Sequence, residues 1–109
     1  MTIAYKILGQ SNPVANTMTS LYVVPANTSV VASTLNICNL ANTSGNFRLA
    51  VQPANALLAT KHYIAYDIAL PAQDAIGLTM GISLDATDVV TVFSFQGNVA
   101  FNLFGSEIY

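Results

Sequence analysis

The side chains able to do chemistry in this chain are few and scattered. The single histidine, His62, lies in Lys61-His62-Tyr63-Ile64-Ala65-Tyr66-Asp67. A catalytic base needs a nucleophile in reach and a third group to orient its ring, and nothing in the spacing places either beside His62. On a strand it would share a face with Ile64, Tyr66 and Ile68, so a packing or interface role is expected. Asp85 and Asp88 stand in Ser83-Leu84-Asp85-Ala86-Thr87-Asp88. Paired carboxylates suit calcium or acid–base work, but a calcium loop gathers its oxygens in a denser run. These aspartates are expected to bond nearby backbone amides in a turn, and Asp74, after Pro71, likewise. Cys38, the only cysteine, forms no internal disulfide or cysteine-based zinc site and is expected to be a small buried apolar residue. There is no nucleophile elbow, Gly-rich phosphate loop or metal-ligand spacing. The expectation is a protein that is not an enzyme and has no cofactor and no metal.

Charge is the next constraint. Only 7% of the 109 residues are charged, three of them cations (Lys6, Arg48 and Lys61), for a net charge of −2; an ordinary soluble domain has about 25%. Nucleic-acid binding needs clustered cations to displace counterions, so it is excluded. From Ile7 to Phe47 no side chain is charged. Even so, Pro13, Pro25 and recurrent Asn, Ser and Thr cut that stretch into pieces far shorter than the roughly 20 apolar residues of a membrane helix, and no membrane role is expected. The opening Met-Thr-Ile-Ala-Tyr-Lys does not read as a secretory signal, so the sequons at Asn27 and Asn42 are expected to be polar turns. A hydrophobic fraction of 53% argues against disorder. A folded chain with so few charges is expected to cover much of its weakly polar surface with something other than free water.

The elements that position these groups are strands. Val, Ile, Thr, Tyr and Phe alternate with polar residues in the period-2 pattern of half-buried strands, over roughly 3–8, 20–24, 30–38, 46–52, 61–69, 75–80, 88–95 and 98–104. Phe47, Leu49 and Val51 share a face, as do Val31, Leu35 and Ile37, and Val99, Phe101 and Leu103. No apolar pattern of helical period lasts ten residues, so no long helix is expected. Turns recur at Pro25-Ala26-Asn27, Pro53-Ala54-Asn55, Pro71-Ala72-Gln73-Asp74 and Asn42–Asn46, where proline presets φ and Asn or Asp tolerates the positions after it. Gln96-Gly97-Asn98 is short enough to close a hairpin between Val89–Phe95 and Val99–Phe104. Seven or eight short strands with such turns predict an all-β chain: a single antiparallel β-sandwich or jelly-roll-like domain over residues 1–109.

Candidate interface residues come from tyrosine placement, because tyrosine offers a large apolar area with a polar tip. They are Tyr5, Ile7, Tyr22, His62, Tyr66, Ile108 and Tyr109. The ends, 1–10 and 105–109, are expected to serve as interface arms that add a strand to a neighbour.

Short blocks along nearly the whole chain are similar to small structural proteins of tailed-bacteriophage virions: Tyr5-Lys6-Ile7-Leu8-Gly9-Gln10-Ser11, Leu21-Tyr22-Val23-Val24-Pro25-Ala26, Ile37-Cys38-Asn39, Lys61-His62-Tyr63-Ile64, Ala86-Thr87-Asp88-Val89 and Phe104-Gly105-Ser106-Glu107-Ile108. The resemblance implies a small all-β protein of the virion, made in the host cytoplasm, that self-associates or coats a larger lattice and has no catalytic residues. The expected function is a capsid decoration or cement protein bridging capsomers, with itself and the major capsid protein as partners. The alternatives are a tail, neck or baseplate accessory protein, or a host-glycan-binding sandwich, the last weakened by the absence of tryptophan.

Overall fold

Two four-stranded antiparallel sheets pack face to face in a computed structural model that describes residues 1–109. The strands are β1 (Ile3–Ser11), β2 (Thr19–Val23), β3 (Ser29–Asn39), β4 (Gly45–Gln52), β5 (Tyr63–Leu70), β6 (Ala75–Leu84), β7 (Val89–Ser94) and β8 (Val99–Ile108). All eight expected strands are present, with ends that differ by a few residues. The only helical pieces are single 3₁₀ turns at Pro53–Asn55 and Thr60–His62.

The first sheet, A, has the order β1-β8-β3-β6, and the second, B, the order β2-β7-β4-β5. Strand 1 therefore pairs with 8, 3 with 6, 2 with 7 and 4 with 5. This is the pattern of one long antiparallel ribbon, folded at the β4–β5 connection and wrapped so that successive strand pairs fall in alternate sheets. The wrap is a jelly roll, an arrangement that limits exposed sheet edges by doubling the sheet.

Alternation along the strands builds the core. Phe47 and Leu49 from β4, Leu35 and Ile37 from β3, Val92 from β7, and Phe101 and Leu103 from β8 are fully buried between the sheets. The rings of Phe47 and Phe101 meet edge to face across the sandwich, 6.3 Å apart, a geometry that aromatic quadrupoles favour.

Four expectations are corrected. Gln96-Gly97-Asn98 does not close a hairpin. β7 already has β2 and β4 on its two edges and β8 has β1 and β3, so neither has a free edge for the other, and the turn carries the chain between sheets. Val31 does not share the inward face of Leu35 and Ile37. The ladder shifts register between Ala32 and Thr34, and one extra residue inverts the pleat, leaving Val30 and Ala32 buried and Val31 exposed. Cys38 is half-buried: its neighbours Ile37 and Asn39 point inward, so it points outward, opposite Ala75 and Ala100. The chain ends are not free arms, since β1 and β8 pair with each other from Ile3↔Ile108 to Ser11↔Phe101. Thr2 and Tyr109 extend that ladder through a reciprocal pair of backbone hydrogen bonds.

The sandwich is closed on its β1/β2 side by a close backbone approach. A Cβ placed on Gly9 would strike the backbone carbonyl oxygen of Leu21, so only glycine lets the two strands meet there. Gly9→Ala is expected to lower stability by about 1–3 kcal/mol, the usual cost of overpacking. Urea unfolding checks this, and an unchanged midpoint would contradict it.

Candidate interaction surface

β1, β8 and β3 form the outer face of sheet A at the end where the termini meet. Their registers align Tyr5 with Ser106 and Val31, and Ile7 with Phe104. Outward alternation then leaves five large apolar side chains exposed together: Ile3, Tyr5, Ile7, Val31 and Phe104. Tyr5 is 85% exposed. Between them runs a furrow of about 600 Å³, floored by Gly105 and Ser106 and walled by Tyr5, Ile7, Val31 and Phe104. Gly105 is glycine for a steric reason, because a Cβ there would meet the carbonyl oxygen of Val31. The small floor makes the furrow.

Beneath this face a buried polar cluster ties the ends to sheet B. Glu107 is only 7% exposed. It accepts hydrogen bonds from the Lys6 ammonium (3.1 Å) on β1 and from the Tyr22 hydroxyl (2.5 Å) on β2. The Tyr22 hydrogen bond, helped by Lys6 and opposed by burial, holds the Glu107 carboxyl below its ordinary pKa. Burial, reinforced by the hydrogen bond to Glu107 and by its charge, pushes the Tyr22 hydroxyl well above its ordinary value of 10.0. A buried carboxylate without partners would be costly; here both oxygens are engaged.

A second cluster lies on the outer face of sheet B. The Arg48 guanidinium makes two hydrogen bonds to Asp67, at 2.6 and 3.1 Å. It sits over the Tyr66 ring at 4.1 Å, with Phe93 and Phe95 at 4.9 and 5.0 Å. Tyr63 and Tyr66 meet edge to face, as do Phe93 and Phe95. Asp67 reaches Arg48 because β5 bulges: Tyr66 and Asp67 together lie opposite Arg48, and Asp67 takes φ +52°.

The expected interface residues therefore separate. Tyr5, Ile7, Ile108 and Tyr109 converge at the end of sheet A where the termini pair, with Ile108 half-buried and Tyr109 exposed. Tyr22 is half-buried and committed to Glu107. Tyr66 belongs to the Arg48 cluster on the opposite sheet. His62 stands in the 3₁₀ turn before β5, not on the strand, so it does not join the face of Ile64 and Ile68. It is buried, and its Nδ1 accepts the Ala59 backbone N–H at 3.0 Å. Asp85 and Asp88 do what their spacing predicts. Asp88 accepts from the backbone N–H groups of Ala54 and Asp85, and Asp85 from that of Ala86.

Sequence reasoning missed Val31, Phe104 and Glu107. Phe104 follows from the alternation of β8, which turns Leu103 inward and its neighbour outward, whereas Val31 depends on a bulge that leaves no mark in the sequence. Glu107 did leave one, as the only charge in β8. No group of three or more His, Cys, Asp or Glu is arranged to hold a metal ion. No protein-family model and no curated protein matches the chain.

The Glu107 cluster gives a signed pH dependence. A carboxyl held low stabilises the fold above its ordinary value of 4.5, and that contribution is lost as pH falls through the lower folded value. A hydroxyl held high stabilises below 10.0 and loses its contribution as pH rises beyond that. The stability advantage of the wild type over Glu107→Gln should therefore shrink as pH drops below about 4.5. Tyr22→Phe should cost about 1.5–3 kcal/mol at neutral pH, as expected for a hydrogen bond to a charged group, and less above pH 10. Chemical denaturation across pH measures both, and differences independent of pH would contradict the assignment.

Proposed function

We propose that this chain is a structural component of a tailed-bacteriophage virion, a decoration protein that docks on the head through the outer face of sheet A and bridges neighbouring capsomers. The observation that carries the proposal is the gathering of Ile3, Tyr5, Ile7, Val31 and Phe104 on one furrowed, rigid sheet face. Exposed apolar surface of this kind marks interaction sites, and the face presents an aromatic anchor, Tyr5, of the type that dominates binding energy. Two further points support the reading. The short blocks described above resemble virion structural proteins, and the jelly-roll wrap is one that viral capsid and lectin domains use. Fold alone does not fix function, so the docking face carries the weight.

The work proposed is mechanical. Many copies, each with a modest interface, strengthen a shell by multivalent attachment. The tail, neck or baseplate position uses the same face on a different partner. A second reading, recognition of a host glycan, draws on the exposed Tyr66 and Phe95 rings around Arg48. Saturable binding of the isolated protein on a glycan array would favour it.

Tyr5→Asp and Phe104→Asp are expected to weaken binding to particles stripped of the protein by at least about 30-fold, the loss of a hot-spot residue, with the melting temperature of Tyr5→Asp unchanged. Equal binding by both variants would count against this face. Lys6 is the one charged residue lining the furrow, so attachment should survive about 1 M NaCl, where the Debye length is about 3 Å. Release at that salt concentration would contradict an apolar interface.

A further inference from the structure

The sandwich is closed on one side and open on the other. On the β1/β2 side the backbones meet at Gly9 and Leu21. On the opposite side β6 is the free edge of sheet A and β5 the free edge of sheet B. Between them lies an apolar groove of about 450 Å³, lined by Ile64, Ala65, Ile68, Leu78, Met80 and Ile82. Ile64 and Ile68 are 51% and 43% exposed. No residue of β6 is charged, and β5 carries only Asp67. Long edges of this kind invite pairing with another chain unless charge, proline or a bulge blunts them.

Here the blunting is by bulges. Met80 and Gly81 lie together opposite Ser33 on β3, with Gly81 at φ +60°. Tyr66 and Asp67 bulge in β5. Each edge is kinked near its middle, so neither offers a straight run on which strands add without end. The groove between them is left apolar. Edges protected against open-ended pairing beside an unprotected groove fit one closed contact better than a filament.

We infer that the β5/β6 side is a two-fold interface with a second copy of this chain. A two-fold axis parallel to the strands sets β6 of one copy against β5 of the other, running antiparallel, and closes both grooves on each other. Charge favours this arrangement. Lys61 lies just before β5 and Asp85 just after β6, so the two-fold brings Lys61 to the partner subunit's Asp85, twice over, at the rim of an uncharged centre. The area is adequate. Ten residues of β6 span about 33 Å, and with sheets about 10 Å apart and side chains beyond them the side is roughly 20 Å across. That gives about 700 Å², close to the roughly 800 Å² per partner of a standard interface. This face is separate from the outer face of sheet A, so the dimer leaves two docking faces free.

The inference does not rest on a virion role, and its test uses the purified protein alone. Sedimentation velocity over about a hundredfold range of concentration should show a monomer–dimer equilibrium. Ile68→Lys and Ile64→Lys should each raise the dissociation constant at least about 30-fold, with circular dichroism and melting confirming the fold. Lys61→Asp and Asp85→Lys should each weaken the dimer, and the double swap should restore it, which general destabilisation cannot do. A wild type that stays monomeric, or a dimer untouched by both isoleucine variants, overturns the inference. A dimer broken by Tyr5→Lys but not by Ile68→Lys overturns it equally, assigning self-association to sheet A.

Discussion

Everything on sheet A depends on β8. This last strand lies between β1 and β3, supplies Val99, Phe101 and Leu103 to the core, and ends in the carboxylate that Lys6 and Tyr22 share. The Lys6–Glu107 contact spans 101 residues of sequence. Such a pairing forms only after most of the chain is available, and non-local pairing of this kind is entropically slow. It also fixes what the termini can do. Once β1 and β8 are zipped together, Tyr5 and Ile7 project from a paired sheet rather than a loose arm, so the docking proposed above would cost little ordering entropy.

The few charges explain why the remaining surface is available. Of three cations and five acidic residues, Lys6 and Glu107 pair with each other, as do Arg48 and Asp67. Asp85 and Asp88 hold turns through backbone amides, and Asp74 accepts from the Ala75 N–H. Seven of the eight charges thus have a partner within the chain, and Lys61, exposed just before β5, is the one left over. The outer face of sheet A and the β5/β6 groove are left weakly polar, a poor surface for a solitary protein and a useful one for an assembly.

The strands were legible because period-2 alternation is a local property. Val99-Ala100-Phe101-Asn102-Leu103 states which side chains turn inward without reference to any other strand. Partners were not legible. Gln96-Gly97-Asn98 suits a hairpin as well as a crossing between sheets, and the outcome is decided by which edges are already occupied. Bulges defeat local reading altogether: one extra residue near Ser33 turned Val31 outward and placed it beside Tyr5. The tyrosine argument selected Tyr5 and Tyr109, which are exposed, and equally Tyr22, whose hydroxyl answers a buried carboxylate. Glu107, the only charged residue of β8, was the signal that a buried partner would be needed.

In the role proposed above, this protein occupies a repeating surface in many copies. Quantitative mass spectrometry of purified particles, with the major capsid protein as internal standard, tests it most directly. A copy number commensurate with the capsid lattice is the predicted result. A protein missing from the particle, or present in only a few copies, would contradict the claim that it decorates the head.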